Sequence, residues 1–177
     1  MVGDKAMNTL DSLISLITSS RRTLWILCGL PYSGKTHLSR EIVKNTFVVY
    51  VSIDNIFKEA GFDWDSNYLP DEKSWEEIFN VSYKQTQEAL SKGLNVLYDS
   101  TNHTRESRDE LRKIAKEVSA ETRVIYVDVP VETIRQRWEE NLHNKTRSIV
   151  DKKLIDMTIN DFEEPGEDEG VARVGNA

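Results

Sequence analysis

At 177 residues the chain has the length of one domain with a single core, able to bury roughly 70% of its unfolded surface without staples. Its one cysteine, Cys28, excludes an intramolecular disulfide framework and fits a reducing, cytoplasmic compartment. The formal net charge of −7 argues against stable binding to duplex nucleic acid, though basic residues concentrated locally could still hold a nucleic-acid end.

In chain order, Met1–Ser20 carries Leu10, Leu13, Ile14 and Ile17 at helical spacing, which predicts an amphipathic helix packed on the domain. It lacks the basic start and unbroken apolar stretch of a secretory signal. Nothing approaches the run of about 18 apolar residues that a membrane span needs. Strands are expected at Thr23–Cys28, Phe47–Ser52, Leu94–Tyr98 and Arg123–Val127, apolar runs that barely alternate, as in parallel strands covered on both faces. Between them, Trp75, Ile78, Phe79, Ser82, Tyr83, Thr86, Ala89 and Leu90 follow a 3.6-residue period, as do Leu111, Ile114, Ala115 and Val118. Pro130 opens a further helix, with Val131, Ile134, Trp138 and Leu142 on one face. A last helix from about Val150 turns Leu154, Ile155, Thr158, Ile159 and Phe162 inward. Residues 163–177, with Glu163, Glu164, Glu167, Asp168 and Glu169, read as an exposed, flexible acidic tail. With no repeat and no linker, this alternation predicts one α/β domain over residues 1–177, three layers around a mostly parallel sheet.

The strand ending at Cys28 runs into Gly29, Leu30, Pro31, Tyr32, Ser33, Gly34, Lys35 and Thr36, which satisfies G-x-x-x-x-G-K-[ST] in full, and a helix starts near Lys35. A triphosphate needs converging backbone N–H groups, and a glycine-rich bend lets the chain come that close. The helix N-terminus adds partial positive charge, Lys35 a mobile cation for the β- and γ-phosphates, and Thr36 a hydroxyl for Mg²⁺. A nucleoside triphosphate, most simply ATP, is the expected ligand.

Asp54 and Asp99 each follow the carboxyl end of a strand, where ligands bind in such sheets. A carboxylate there can hold Mg²⁺, directly or through water, or take a proton from an attacking hydroxyl. The alternatives are an N-cap for Asp54, ahead of a helix Asn55–Ala60, and a turn residue for Asp99. The polar stretch Ser100–Arg108 follows, leading into a helix near Thr104. Basic residues in a first helical turn oppose the helix dipole, so Arg105 and Arg108 are read either as anion ligands or as solvated arginines, and His103 and Asn102 could line the pocket. The three histidines have no metal-ligand spacing. Residues 135–153 carry Arg135, Arg137, Lys145, Arg147, Lys152 and Lys153 around a polar turn, the makings of a basic lid, or else of a solvated helix-turn-helix face.

Taken together, the Gly29–Thr36 loop, the Ser52–Phe57 segment with Asp54, the Asp99-Ser100-Thr101-Asn102-His103-Thr104 stretch with Arg108, the arginine-bearing lid and the ending Asp161–Glu169 resemble polynucleotide-kinase-type P-loop kinases, to which zeta-toxin-type kinases and small kinases of bacteria and archaea are similar. The resemblance covers Leu24 to Glu169. It implies a P-loop NTPase fold of nucleotide-kinase type with a helical lid, and ATP and Mg²⁺ as cofactors. It implies Asp54 as the base that activates an acceptor hydroxyl, Lys35 and Thr36 as phosphate and metal residues, and Asp99 as a magnesium or substrate residue. Lid residues Arg137 or Arg147 would stabilise the transferring phosphoryl. Such lids often place an arginine directly before an asparagine, whereas Asn141 follows Glu140, so both arginines stay candidates. Asn55–Gly93, with Phe62, Trp64, Tyr68 and Trp75, would shape the acceptor pocket, where the aromatics could stack a base or sugar, with core packing the default for most of them. The expected activity is phosphorylation of a hydroxyl on a polynucleotide 5′ end, a nucleoside, a sugar nucleotide or another small molecule. The alternatives are a nucleoside or nucleotide kinase and, from another class, an ATP-dependent binding switch. The oligomeric state leaves no mark in the sequence.

Overall fold

The computed structural model describes residues 9–65 and 69–175. Strands β1 (Thr23–Cys28), β2 (Val48–Ser52), β3 (Asn95–Asp99), β4 (Glu121–Asp128) and β5 (Val171–Gly175) form one sheet in the order β2-β3-β1-β4-β5. Every pairing is parallel. Central β1 is buried along its whole length, which is why its sequence shows no alternation. Its side chains nevertheless part to two faces. Leu24, Ile26 and Cys28 join the core under helices α3 (Ile53–Glu59), α4 (Glu72–Ser91) and α5 (Arg105–Glu117). Trp25 and Leu27 join the core on the other side, under α1 (Leu10–Ser19), α2 (Lys35–Asn45), α6 (Val131–Asn144) and α7 (Lys152–Asn160). The result is the expected three layers.

The strand order places β1 between β3 and β4, so the crevice for ligands opens outside the carboxyl end of β1. Two helix starts at that end are set by side-chain caps: Ser52 accepts from Asn55 N and Thr104 from Ser107 N. Caps of this kind are worth about 1 kcal/mol each and fix where the chain turns away from the sheet. Along α1, Leu13 and Ile17 are buried, the stripe its periodicity predicts. On α7 the buried residues are Ile155 and Thr158, and Leu154 is 45% exposed rather than inward-facing, since adjacent helical positions lie about 100° apart. Among the described residues no helix is long and apolar enough to cross a membrane.

The acidic segment corrects the reading of an exposed, flexible tail. Glu167–Glu169 form a 3₁₀ turn, and Val171–Gly175 add the fifth strand beside β4. The reason is charge pairing with α5, whose Arg105, Arg108 and Arg112 lie on one helix face. Arg105 holds Asp168 at 2.7 Å, which explains a cation in a first helical turn. Glu169 is buried, and its carboxylate accepts from Arg108 Nε (2.8 Å), Arg108 Nη2 (3.0 Å), Arg112 Nη1 (2.5 Å) and Gly166 N (3.0 Å). Burial alone would raise the Glu169 pKa, but these donors overcome it and hold the carboxyl at about 2. Its ordinary value is 4.5, so the stability it contributes is complete above about pH 4.5 and is lost as pH falls towards 2. Glu169→Gln leaves Arg108 buried without a counter-charge, and should cost about 3–5 kcal/mol at neutral pH. It should also flatten the loss of stability on acidification below pH 4.5. Urea unfolding at pH 7 and in acid measures both, and an unchanged midpoint at pH 7 would remove the pair as a support of the fold.

Candidate active site

The loop from Gly29 to Thr36 leaves β1 and enters α2 at the centre of the crevice. Gly29 lies so close to its surroundings that a Cβ there would meet Ser33 Oγ and Val127 O at 3.0 Å. Gly34 has φ +99° and caps α2, a conformation that side chains disfavour, and open space surrounds it. The loop folds back on Lys35, whose ammonium donates to Gly29 O (2.7 Å) and Leu30 O (2.8 Å). Burial lowers the Lys35 pKa to about 8; Asp99 and Asp54 oppose this, and Arg147 adds to it. Ser33 Oγ is buried and has no hydrogen-bond partner. Thr36 is exposed in the first turn of α2. An anion above the loop would give Lys35 a full charge partner, so these residues fit a bound triphosphate.

Asp99 closes β3 and faces Lys35. Tyr50 Oη donates to its Oδ2 at 2.6 Å, and Ser39 Oγ lies 3.3 Å from the same phenol. Burial raises the Asp99 pKa, against the pull of Tyr50 and Lys35. Tyr50 was not foreseen. Parallel pairing sets Ser52 beside Asp99, so Tyr50, two residues earlier on the same face, reaches it diagonally. Asp54 is exposed in the first turn of α3, and the capping role considered for it belongs to Ser52. Trp64 Nε1 donates to Asp54 Oδ1 at 3.3 Å. The indole stacks on Phe57, with ring centroids 4.4 Å apart, and Phe62 and Trp75 pack around them. Tyr68, also expected here, lies outside the described residues.

Two expected ligand-binding residues are corrected. Arg108 has 0% exposure and is turned inward, with Nη1 donating to Asn102 O at 3.0 Å in addition to its pairing with Glu169. Asn102 is also buried; its Nδ2 donates to Leu27 O at 2.7 Å, and Cys28 Sγ donates to its carbonyl. Thr101 O accepts from Gly29 N, so this chain of contacts braces the base of the loop from the C-terminal turn. Both residues support the site from behind.

The lid joins α6 to α7 across residues 145–151. Arg137 Nη1 donates to Tyr32 O at 3.0 Å, and the Arg147 guanidinium lies 4.3 Å above the Tyr32 ring. Asn141 closes the turn, donating to Arg147 O and accepting from Thr146 Oγ1 and Arg147 N. Ser148 Oγ reaches across to Asp65 Oδ2 at 2.8 Å, joining the lid to the loop that carries Trp64. The cleft between lid and phosphate loop encloses about 320 Å³, lined by Tyr32, Gly34, Arg137, Asn141 and Arg147 among others. A larger open groove of about 960 Å³ follows the outer face of α5, but its charges pair with one another, as in Lys113–Glu110 and Arg112–Asp109. The smaller cleft lies where the lid meets the phosphate loop.

A parallel sheet with a Gly-rich phosphate loop at its centre, two carboxylates at neighbouring strand ends and an arginine-bearing turn above it is the architecture of a P-loop nucleotide-binding domain. The chain belongs to the AAA_33 family, described as an AAA domain, which matches residues 24–165. It is 30% identical over 145 residues to the L-seryl-tRNA(Sec) kinase of Methanococcus maripaludis, covering 81% of this chain and 53% of that protein. It therefore spans about half the length of that relative. Among solved structures, a chain of the Pnkp1/Rnl/Hen1 RNA repair complex superposes with TM-score 0.67 at 24% identity, over 78% of this chain and 43% of the other. Chaetomium thermophilum Kti12 in complex with ADP-AlF3 superposes with TM-score 0.62 at 21% identity, over 87% and 88% of the two chains. At these identities the two structures show the shared fold.

The lowered Lys35 pKa has a measurable consequence. With a value of about 8, the ammonium is charged below that pH in the free protein and is lost above it. A bound polyphosphate favours the charged form, so binding MgATP near pH 8 should take up protons, and affinity should weaken as pH rises towards 9. Calorimetry at pH 8 in two buffers of different ionisation heat reads the uptake, with Lys35→Arg as the non-titrating control. Equal heats in both buffers for the unsubstituted protein would exclude the titration.

Proposed function

We propose that this chain transfers the γ-phosphoryl group of ATP to a hydroxyl of an acceptor molecule, in the cytoplasm. The observation that carries the reading is the convergence on Lys35. Its ammonium rests on the phosphate loop, and the charges of Asp99, Arg147 and Asp54 all reach it. A phosphate-binding cation, a candidate base and a cation for the transferring group thus act on one another around the end of the phosphate loop.

The roles follow from position. Backbone N–H groups of Gly34, Lys35 and Thr36, at the α2 N-terminus, would hold the β- and γ-phosphates, with Lys35 swinging from the Gly29 and Leu30 carbonyls onto them. Among the described residues no group of three or more His, Cys, Asp and Glu could hold a metal ion, which supports an ion that arrives with the triphosphate. Mg²⁺, when bound, would neutralise phosphate charge, with Thr36 Oγ1 as a hard oxygen ligand and Asp99 held alongside by Tyr50. Asp54, exposed and hydrogen-bonded by Trp64, takes the proton from the acceptor hydroxyl as its oxygen attacks the γ-phosphorus and the bond to the β–γ bridging oxygen breaks. Arg147 is the better transition-state candidate of the two lid arginines, because it is exposed on the lid turn with its guanidinium over the phosphate-loop ring of Tyr32, whereas Arg137 donates to the Tyr32 carbonyl. The segment 55–65, with its aromatic cluster beside Asp54, supports an acceptor entering on that side. The curated relative, an L-seryl-tRNA(Sec) kinase, supports an alcohol as the acceptor group.

The direct test is transfer from γ-labelled ATP to polynucleotide 5′ ends, aminoacylated tRNA, nucleosides and sugar acids, beside a control without acceptor. Transfer to one class establishes the reading; hydrolysis alone would favour the nucleotide switch. Asp54→Asn keeps shape and fold, since Ser52 supplies the cap, but cannot accept a proton. It should lower transfer by about 10²–10⁴-fold while ATP affinity holds. A folded Asp54→Asn protein that transfers phosphate at the wild-type rate would remove Asp54 from the mechanism. Arg147→Ala should reduce kcat by about 10²–10³-fold, more than Arg137→Ala does, with little change in ATP affinity. The opposite ranking would pass the role to Arg137.

A further inference from the structure

The fourth residue of the phosphate loop breaks a local rule. Tyr32 has φ +65°, in the left-handed region where a non-glycine residue is held at a cost of about 1–2 kcal/mol. Glycine would take that conformation freely, and the chain already uses glycine at both ends of this bend. A bulky ring kept there must make contacts that offset the strain.

Those contacts come from the lid. Arg137 Nη1 donates to the Tyr32 carbonyl at 3.0 Å. The Arg147 guanidinium covers the ring face at 4.3 Å from its centroid, within reach of a cation–π attraction. Asn141 Nδ2 (3.4 Å) and Val150 N (3.5 Å) both approach the phenol oxygen. Asn141 also closes the lid turn around Arg147, so the same amide that meets the Tyr32 hydroxyl sets the backbone of the arginine on the Tyr32 ring. The ring itself is 6% exposed, seated in the core with Leu30 and Leu38. A buried ring within the phosphate loop thus meets an exposed arginine by its flat face.

We propose that Tyr32 is the dock of the lid and the positioning residue for Arg147, holding its guanidinium beside the site of the transferring phosphoryl group. The proposal rests on the kinase reading above. It gives the strained backbone a reason: the φ angle directs the ring towards the lid, and the contacts there keep it. A planar guanidinium stacked in advance loses less freedom when charge develops beside it, which is the benefit of an electrostatic group placed before the reaction.

Two measurements decide the matter, and only one depends on the chemistry. Tyr32→Gly relieves the φ strain and removes both ring and hydroxyl, but it also empties a core position, so it is compared as protein shown folded by circular dichroism. In the ligand-free protein, tryptic cleavage after the exposed Lys145 reports the population of undocked lid. Loss of a stacking contact of this kind should speed that cleavage about tenfold, with Tyr32→Phe, which keeps the ring face, falling between Tyr32→Gly and the unsubstituted chain. Arg147→Ala, which removes the same stacking contact from the exposed side, should speed the cleavage as well. The second measurement is release of phosphate from MgATP with water as the acceptor. Tyr32→Gly should lower kcat about tenfold with a smaller change in KM for ATP, and Tyr32→Phe should restore part of the loss. Introduced into Arg147→Ala, Tyr32→Gly should cost about twofold or less, because the two residues act through one contact. Cleavage at the wild-type rate in Tyr32→Gly, or losses that multiply fully in the double variant, would overturn the proposal. An unsubstituted protein that releases no phosphate and transfers none overturns the kinase reading instead, and the cleavage rates still show whether the lid docks on Tyr32.

Discussion

The buried ion pair between Arg108 and Glu169 is the constraint on which the rest of the architecture leans. Two charges with exposures of 0% and 1% are held off water by a helix on one side of the chain and a 3₁₀ turn near its end on the other. Such a pair is tolerable only if every remaining donor and acceptor is matched. Here Arg112, Gly166 and Asn102 supply those partners. The consequence reaches well beyond the pair. Docking the 3₁₀ turn delivers Val171–Gly175 to β4 as an edge strand, and the guanidinium fixes the Asn102 carbonyl. Asn102 then ties the end of β1, immediately before the phosphate loop. An acidic segment distant in sequence thereby sets the floor of the nucleotide site.

Above that floor the electrostatics run the other way. The pair below is charge-balanced, whereas the loop carries a cation whose charged form the protein disfavours. Burial depresses Lys35 and raises Asp99, so each is held away from its ordinary ionisation by loss of water and is drawn back by the other. Such a site gains most from a multivalent anion, which replaces the lost hydration of Lys35 with direct charge contacts. Arg147, close enough to depress Lys35 further, deepens the same preference.

What the sequence made legible was what local pattern controls. β1 was bounded to the residue and the other early strands to within one or two, because central parallel strands are uninterrupted apolar runs between turn signals. The phosphate loop was legible because backbone geometry demands glycine and function demands Lys35 and Thr36 at fixed spacing. Most of the failures trace to long-range pairing. Glu163, Asp168 and Glu169 are acidic, and composition alone reads them as solvated; their partners on α5 lie about 60 residues earlier. Arg108 and Asn102 were placed in the pocket because the turn that holds them abuts it, yet the side chains point into the core, a direction no spacing rule reveals. β5 is a five-residue edge strand containing an arginine, too short and too polar to show a period. Tyr50 and Trp64 were invisible as partners of Asp99 and Asp54, since each contact depends on how a strand register or a loop returns the ring to the carboxylate.

The local rules also fail in an informative place. Of the five non-glycine residues with positive φ among the described residues, three lie around the phosphate cleft: Tyr32 in the loop, Asn102 beneath it and Lys145 at the head of the lid turn. Each is in the left-handed region, and each is offset by contacts made by its own residue or its immediate neighbours. Asn102 binds Leu27 O through its side chain and accepts from Arg108 and Cys28 through its carbonyl. Lys145 ends α6, donating its N–H to Asn141 O, and lets Thr146 and Arg147 fold back onto the Asn141 side chain. Tyr32 meets the lid with carbonyl, ring and hydroxyl together. Strain in a domain is normally spread thin, and its concentration at the floor, the loop and the lid of one cleft follows from what that cleft must do. A phosphate loop needs a backbone held open to an anion, and a lid arginine needs a fixed height above it. Neither geometry comes from relaxed helix or strand, so both are held by residues whose dihedral angles only tertiary contacts can sustain.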